Sequence, residues 1–218
     1  MENARRMAKA SKNQSLGEQA YVHLKWLILN QEIPAGTLLN EQALVETTGF
    51  GRAPIHHALH RLAYDDLVVI HPRKGAQVRL WDGSDIAALV EARLPVERAI
   101  VQLACQRITT PAIEEMYEAI ETTPRLIEEM DREGLLKLDL WFHAAIARAT
   151  GNSILVDTAE RLHQRSTQFW SPKMSGRDRY LAVYRQHAEI VSAIAARDAD
   201  RADMAITAHI NNFSEKSA

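Results

Sequence analysis

The chain is short of thiols. Cys105 is the one cysteine among 218 residues, which excludes an intramolecular disulfide and any thiolate cluster within one chain, so a metal site here must be built from histidine and carboxylate. Long apolar runs are missing as well. No stretch of about 18 apolar residues occurs, and the opening MENARRMAKASKNQS is polar and basic without the apolar core of a signal peptide. These absences predict a cytoplasmic protein with no membrane partner. The sequence also has no internal repeat and no low-complexity segment. Its 46% hydrophobic and 25% charged residues exclude disordered and fibrous classes. A chain of this length can bury a core unaided, and two domains of unequal size are expected.

Charge divides the chain. Residues 1–81 hold 10 Lys/Arg against 7 Asp/Glu, a balance of +3, and residues 82–218 hold 16 against 21, or −5, which together make the net −2. Such differences are common by themselves. Residues 1–14 read as a flexible tail, 15–81 as one domain and 82–218 as another.

In the first domain Ala20, Leu24, Leu27 and Ile28 recur at helical spacing until Pro34-Ala-Gly36 stops them. Asn40 is an N-cap for a short helix, NEQALVETTG, closed by Gly49. Another begins near Arg52, where Pro54 suits the first turn, and buries Ile55, Leu59 and Leu62. The β-like runs LVVIH and AQVRLW, joined by Pro72-Arg-Lys-Gly75, read as a hairpin. Three short helices and a basic-tipped hairpin form a winged helix-turn-helix. Beyond Trp81 everything is helical in period. Six helices are expected, at 84–107, 110–130, 132–150, 152–171, 177–197 and 198–214, and their short connections imply an antiparallel all-α bundle. The fold class is therefore mostly α.

The second helix of a helix-turn-helix lies in the major groove of DNA with its N-terminal residues against the bases. Arg52 can grip a guanine in two places, with His56 and His57 one turn on. Arg61, Arg73 and Lys74 are placed for phosphates, and Gly75 lets the hairpin tip come close to a minor groove. Taken singly, each of these reads better as part of a solvated helix face. The order of the parts says more. The run from Gly36 to Val78 resembles the N-terminal domain of the GntR family of bacterial transcription regulators. It matches the family text at Gly36, Leu39, Glu41, Leu44, Gly49, Arg52, Pro54, Ala58, Leu59, Leu62, Leu67, Val68, Gly75 and Val78. The chain departs from it at Gly51, commonly a small polar residue, and at His56-His57, commonly Arg-Glu with the arginine on DNA.

In LDLWFHAAI, Asp139 and His143 stand four residues apart beside the apolar stripe of Leu138, Phe142 and Ile146. Positions i and i+4 share a helix face, so both side chains can hold one cation. His187 and His209 occupy later helices, each flanked by apolar residues. If those helices face one point, one carboxylate and three imidazoles converge, a set suited to Zn²⁺, Ni²⁺, Mn²⁺, Fe²⁺ or Co²⁺ rather than Ca²⁺ or Mg²⁺. The spacing alone is equally that of an exposed pair. His163 is given no role.

Residues 84–214 resemble the FCD ligand-binding domain of the FadR branch of GntR regulators. The resemblance rests on Asp139, Phe142, His143, Ile146, Ala149 and Asn152, then His187, Ile190, Ala193 and Ile194, then His209. It implies that Asp139, His143, His187 and His209 ligate a metal, Zn²⁺ first among the candidates. It also implies that Arg93, in EARLPVE, faces the effector, which nominates a small organic acid held by paired guanidinium donors. A surface ion pair between Arg93 and Glu97, one helical turn apart, is the other reading. Asn152 reads as a helix N-cap, and six helices imply the smaller, VanR-like arrangement. The expected function is a metal-dependent, acid-responsive regulator, a repressor binding a palindromic operator in double-stranded DNA as a homodimer. A metal-dependent enzyme, or a regulator with a purely structural metal, are the alternatives.

Overall fold

The computed structural model describes residues 14–214, so the tail expected over residues 1–14 lies almost wholly outside the described residues. Two compact units divide between Leu80 and Trp81.

The first unit runs α1 (Leu16–Leu29), β1 (Leu38–Leu39), α2 (Glu41–Thr48), α3 (Arg52–Tyr64), β2 (Val68–His71) and β3 (Gly75–Val78). Ser15 caps α1 by accepting from the Glu18 amide, and Asn40 caps α2 by accepting from Ala43. The left-handed Gly49, at φ 75°, ends α2, a conformation that costs glycine least. The helices meet over Ala20, Leu24, Ile28, Ile55, Leu59 and Leu62, all buried. The hairpin forms as expected, with Val68 opposite Val78 and His71 opposite Gly75. Sequence periodicity missed β1, two residues that pair antiparallel with β3 and make a sheet of order β1-β3-β2. That strand gives Gly75 a structural reason: its φ is 88°, and a Cβ there would stand 3.2 Å from the Leu39 carbonyl oxygen.

The second unit is helical throughout: α4 (Gly83–Arg107), α5 (Thr110–Glu121), α6 (Thr123–Glu128), α7 (Arg132–Ala149), α8 (Ser153–Trp170), a 3₁₀ turn (Ser171–Lys173), α9 (Arg177–Ala195) and α10 (Ala199–Ser214). A capping box opens α4: Asp82 accepts from the Ser84 and Asp85 amides while Asp85 reaches back to the Asp82 amide. Pro95 sits inside that helix, where it cannot donate to the Glu91 carbonyl. Asn152 caps α8 as expected, accepting from Ile154 and Leu155. The segment expected as one helix over 110–130 is two. Pro124 occupies the first turn of α6 and has no N–H for the Ile120 carbonyl, so α5 stops at Glu121. Ile100, Phe142, Ile146, Ile190, Ile194 and Ile206 lie at the centre of the bundle, each at most 1% exposed.

Candidate functional site

Helix α7 buries Leu135, Phe142, His143 and Ile146, which turns the neighbouring Asp139 toward the bundle interior. Helices α9 and α10 bring in His187 and His209 beside Ile190 and Ile206. The three imidazoles of His143, His187 and His209 each offer a nitrogen within 4.8 Å of the others. His209 Nε2 lies 3.3 Å from His143 Nε2, and Asp139 Oδ1 lies 3.6 Å from His187 Nε2. The four residues expected as ligands therefore meet, from three helices. Phe142 stacks on His187 at 4.1 Å between ring centroids and 21° between planes, which fixes that ring.

Two buried ring nitrogens in this cluster have no hydrogen-bond partner, His187 Nε2 and His143 Nδ1. A buried unpaired nitrogen costs free energy, and His187 Nε2 is aimed at the Asp139 carboxylate beyond hydrogen-bond reach. A cation between them would satisfy both. His209 Nδ1 bonds Gln186 Oε1 at 3.0 Å, which places its proton on Nδ1 and turns the Nε2 lone pair to the cluster. The donor set thus fits a divalent transition metal: three imidazole nitrogens, one carboxylate oxygen, and no thiolate. The Asp139 side chain is 26% exposed and the histidines at most 9%, so the carboxylate is the member of the set that meets solvent.

Arg93 is 2% exposed and Glu97 3%, which makes their ion pair an interior one rather than the surface pair its spacing equally allowed. Arg93 Nε donates to Glu97 at 3.1 Å, Nη1 to Ser166 at 2.9 Å, and Nη2 lies 2.8 Å from His163 Nδ1. His163, given no role from the sequence, is in the middle of the site. Its Nε2 is 3.0 Å from Asp139 Oδ2 and its ring centroid 4.0 Å from that of His143. The readable signal was weak: Ala159, His163, Ser166 and Trp170 are spaced as one buried face of α8, but two of the four are polar.

Burial first, and then the neighbouring His163 and the Arg93 guanidinium, hold His143 well below the usual imidazole range. Burial likewise lowers His187 to about 4 against the partial opposition of Asp139, and His209 shifts down, led by burial. Burial alone would raise the Asp139 carboxyl, but His163 and then His187 and His209 outweigh it and leave it low. Because the unfolded chain takes up protons near pH 6.5 and the folded histidines do not, acid favours unfolding. Metal-free protein should lose urea resistance steadily from pH 7 to pH 5, with no further gain above pH 7.5. A flat profile would contradict the burial.

In the first unit Arg52, His56, Arg73 and Lys74 are exposed on α3 and the hairpin turn. His56 Nδ1 lies 3.0 Å from Glu41 Oε1, at the start of α2. Arg61 is engaged within the unit: it bonds Glu18 and lies 3.9 Å over the Tyr21 ring, whose hydroxyl donates to Asp65 at 2.6 Å. Gly75 is engaged by the β1 approach described above.

Comparison with known proteins agrees with this architecture. Residues 16–78 match "Bacterial regulatory proteins, gntR family", and residues 88–212, more than half the chain, match "FCD domain". The HTH-type transcriptional repressor RspR of Escherichia coli K12 is 25% identical over 202 residues, covering 93% of this chain and 89% of RspR. The HTH-type transcriptional repressor NanR of Enterobacter sp. 638 is 27% identical over 225 residues, covering 91% and 84%. Among solved structures, E. coli McbR/YncC aligns with a TM-score of 0.83 at 19% identity, over 94% of this chain and all of that one. A GntR regulator of Rhodococcus sp. RHA1 aligns at 0.78, also 19% identical, over 94% and 98%. The structural likenesses speak to fold and the family matches to class: the chain belongs to the GntR family of DNA-binding transcription regulators, in its branch with a C-terminal FCD domain, and is not an enzyme.

Proposed function

We propose that the protein is a repressor whose hold on a palindromic operator depends on a divalent transition metal, Zn²⁺ foremost, and responds to a small organic acid. The observation that supports it most is the unpartnered His187 Nε2, buried and aimed at a carboxylate among two further imidazoles. Asp139, His143, His187 and His209 would hold the ion. When bound, such an ion supplies positive charge and open coordination positions to an anionic oxygen. Arg93 supplies the second half of the recognition of an acid, since a guanidinium has five N–H donors in a fork that matches a carboxylate. Its guanidinium already leans on Glu97, Ser166 and His163, so an incoming carboxylate competes with those partners. A ligand shifts operator binding only by preferring one arrangement of the protein over another.

A single small winged unit reads few base pairs, and a homodimer reads two half-sites. Arg52 and His56 would face base edges and Arg73 and Lys74 phosphates, with Gly75 at the tip of the wing. Arg61, held by Glu18, would act on DNA mainly by fixing α3 against α1. The names of RspR and NanR as repressors support the sign of regulation.

Operator fragments selected from random DNA by the purified protein give the test. Chelation should change operator affinity while leaving the helical circular dichroism in place, and added acids should act only on metal-loaded protein. Unfolding on chelation, with no acid altering affinity, would instead mark a purely structural metal. On the selected operator, Arg52→Ala should cost about 1–3 kcal/mol and relax preference at one base. Lys74→Ala should weaken all sequences alike and reduce the salt slope by about 1. An Arg52→Ala protein with unchanged base preference would remove that residue from readout.

A further inference from the structure

The expected ligand set and Arg93 leave one buried polar group of this site without a part, His163. Its two nitrogens touch the two halves of the site: Nδ1 lies 2.8 Å from Arg93 Nη2 and Nε2 lies 3.0 Å from Asp139 Oδ2. Arginine can only donate, so Nδ1 must accept, and the ring proton must sit on Nε2. That proton then points at Asp139 Oδ2, and the other oxygen, Oδ1, is turned to His187 Nε2. The opposite tautomer would set N–H against N–H at Arg93 and lone pair against carboxylate at Asp139. The position of the guanidinium therefore dictates where the imidazole carries its hydrogen.

Resting on the metal reading above, we propose that His163 is a positioning residue that couples the grip of Asp139 on the metal to the engagement of Arg93. With Arg93 against Nδ1, His163 must donate to Asp139, which orients the carboxylate and commits one of its oxygens. A carboxylic acid ligand that draws Nη2 away leaves Nδ1 without its donor, the tautomer is no longer imposed, and Asp139 loses an obligate partner. Acid and metal are then linked thermodynamically even where they do not touch, and each must alter the affinity of the other by the same factor. Outer partners of ligating groups commonly set metal affinity over a range of about 10–100-fold.

Zn²⁺ affinity of the full chain, by competition with a coloured chelator, tests this with three substitutions. His163→Phe keeps a ring and removes both hydrogen bonds, and should weaken Zn²⁺ by about 10–100-fold. His163→Gln can still accept from Arg93 and donate to Asp139 through one amide, and should restore affinity to within a few-fold of the original. Arg93→Lys keeps a cation for Glu97 but gives up the fork that reaches His163; it should weaken Zn²⁺ in the original protein and change nothing further in the His163→Phe background. The visible spectrum of bound Co²⁺ should shift in His163→Phe and return in His163→Gln. Equal losses for Phe and Gln, or losses for Arg93→Lys that add to those of His163→Phe, overturn the coupling. Should Arg93→Lys fail to fold, the Phe and Gln pair still decides. Unaltered protein that takes up no Zn²⁺ overturns the metal reading and this one with it, whereas full binding untouched by His163→Phe overturns this one alone.

Discussion

Replacing His187 with alanine should leave the purified protein with well under one metal ion per chain, where the original is expected to carry about one. The reason is geometric. His187 is the proposed ligand whose Nε2 has no other use: it is buried, lacks a hydrogen-bond partner, and lies 3.6 Å from Asp139 Oδ1. Without it the set falls to two imidazoles and a carboxylate, one donor short of the four usual for tetrahedral zinc. The replacement also removes the ring on which Phe142 stacks, so some loss of packing accompanies it. Elemental mass spectrometry on dialysed protein reads the result directly. His57→Ala, on the exposed side of α3, serves as the control and should leave metal content unchanged. Full metal content in the His187→Ala protein would mean that the ion, if any, sits elsewhere.

Glu97→Ala should destabilise the helical unit by about 3–5 kcal/mol, because it strands the Arg93 guanidinium in the interior without its counter-charge. Both side chains are at most 4% exposed, so water cannot take over the carboxylate's role. Urea unfolding of metal-free protein measures the loss. The double replacement Arg93→Met with Glu97→Leu should recover most of it, since apolar side chains of similar volume often stand in for a buried ion pair at little net cost. A Glu97→Ala protein as stable as the original would mean that the pair is solvated in solution. The double variant should have lost its response to acids whatever its stability, which separates the pair's structural contribution from the recognition proposed for Arg93.

Much of this fold could be read from local chemistry. Asn40, Gly49 and Asn152 stand where helices start or stop because side-chain oxygens and left-handed glycines satisfy groups that helix ends leave open. His143, His187 and His209 drew attention because each stands beside apolar residues at helical spacing, where polar groups need partners, but it was the resemblance to the FCD domain that joined them with Asp139 as one set. What escaped depended on neighbours far away in the chain. The two residues of β1 make a strand only because β3 lies beside them. Spacing puts Glu97 one turn from Arg93 but cannot say that both are interior. His163 is 24 residues from Asp139 and 70 from Arg93, and its importance follows from the packing of α8 on α4 and α7 rather than from any local pattern. The break between α5 and α6 falls at Pro124, a residue that the expectation of one helix over 110–130 did not take into account.

Pro95 carries a mechanical implication. The Glu91 carbonyl loses its rung of the helical ladder within the turn of α4 that carries Arg93 and Glu97, paired on one face. A helix with a missing rung bends there more readily than anywhere else along its length. The compliant spot lies twelve residues, or about 18 Å of helix rise, from the first turn of α4. Any strain placed on the Arg93–Glu97 pair would therefore be taken up first as a change in the curvature of α4 itself.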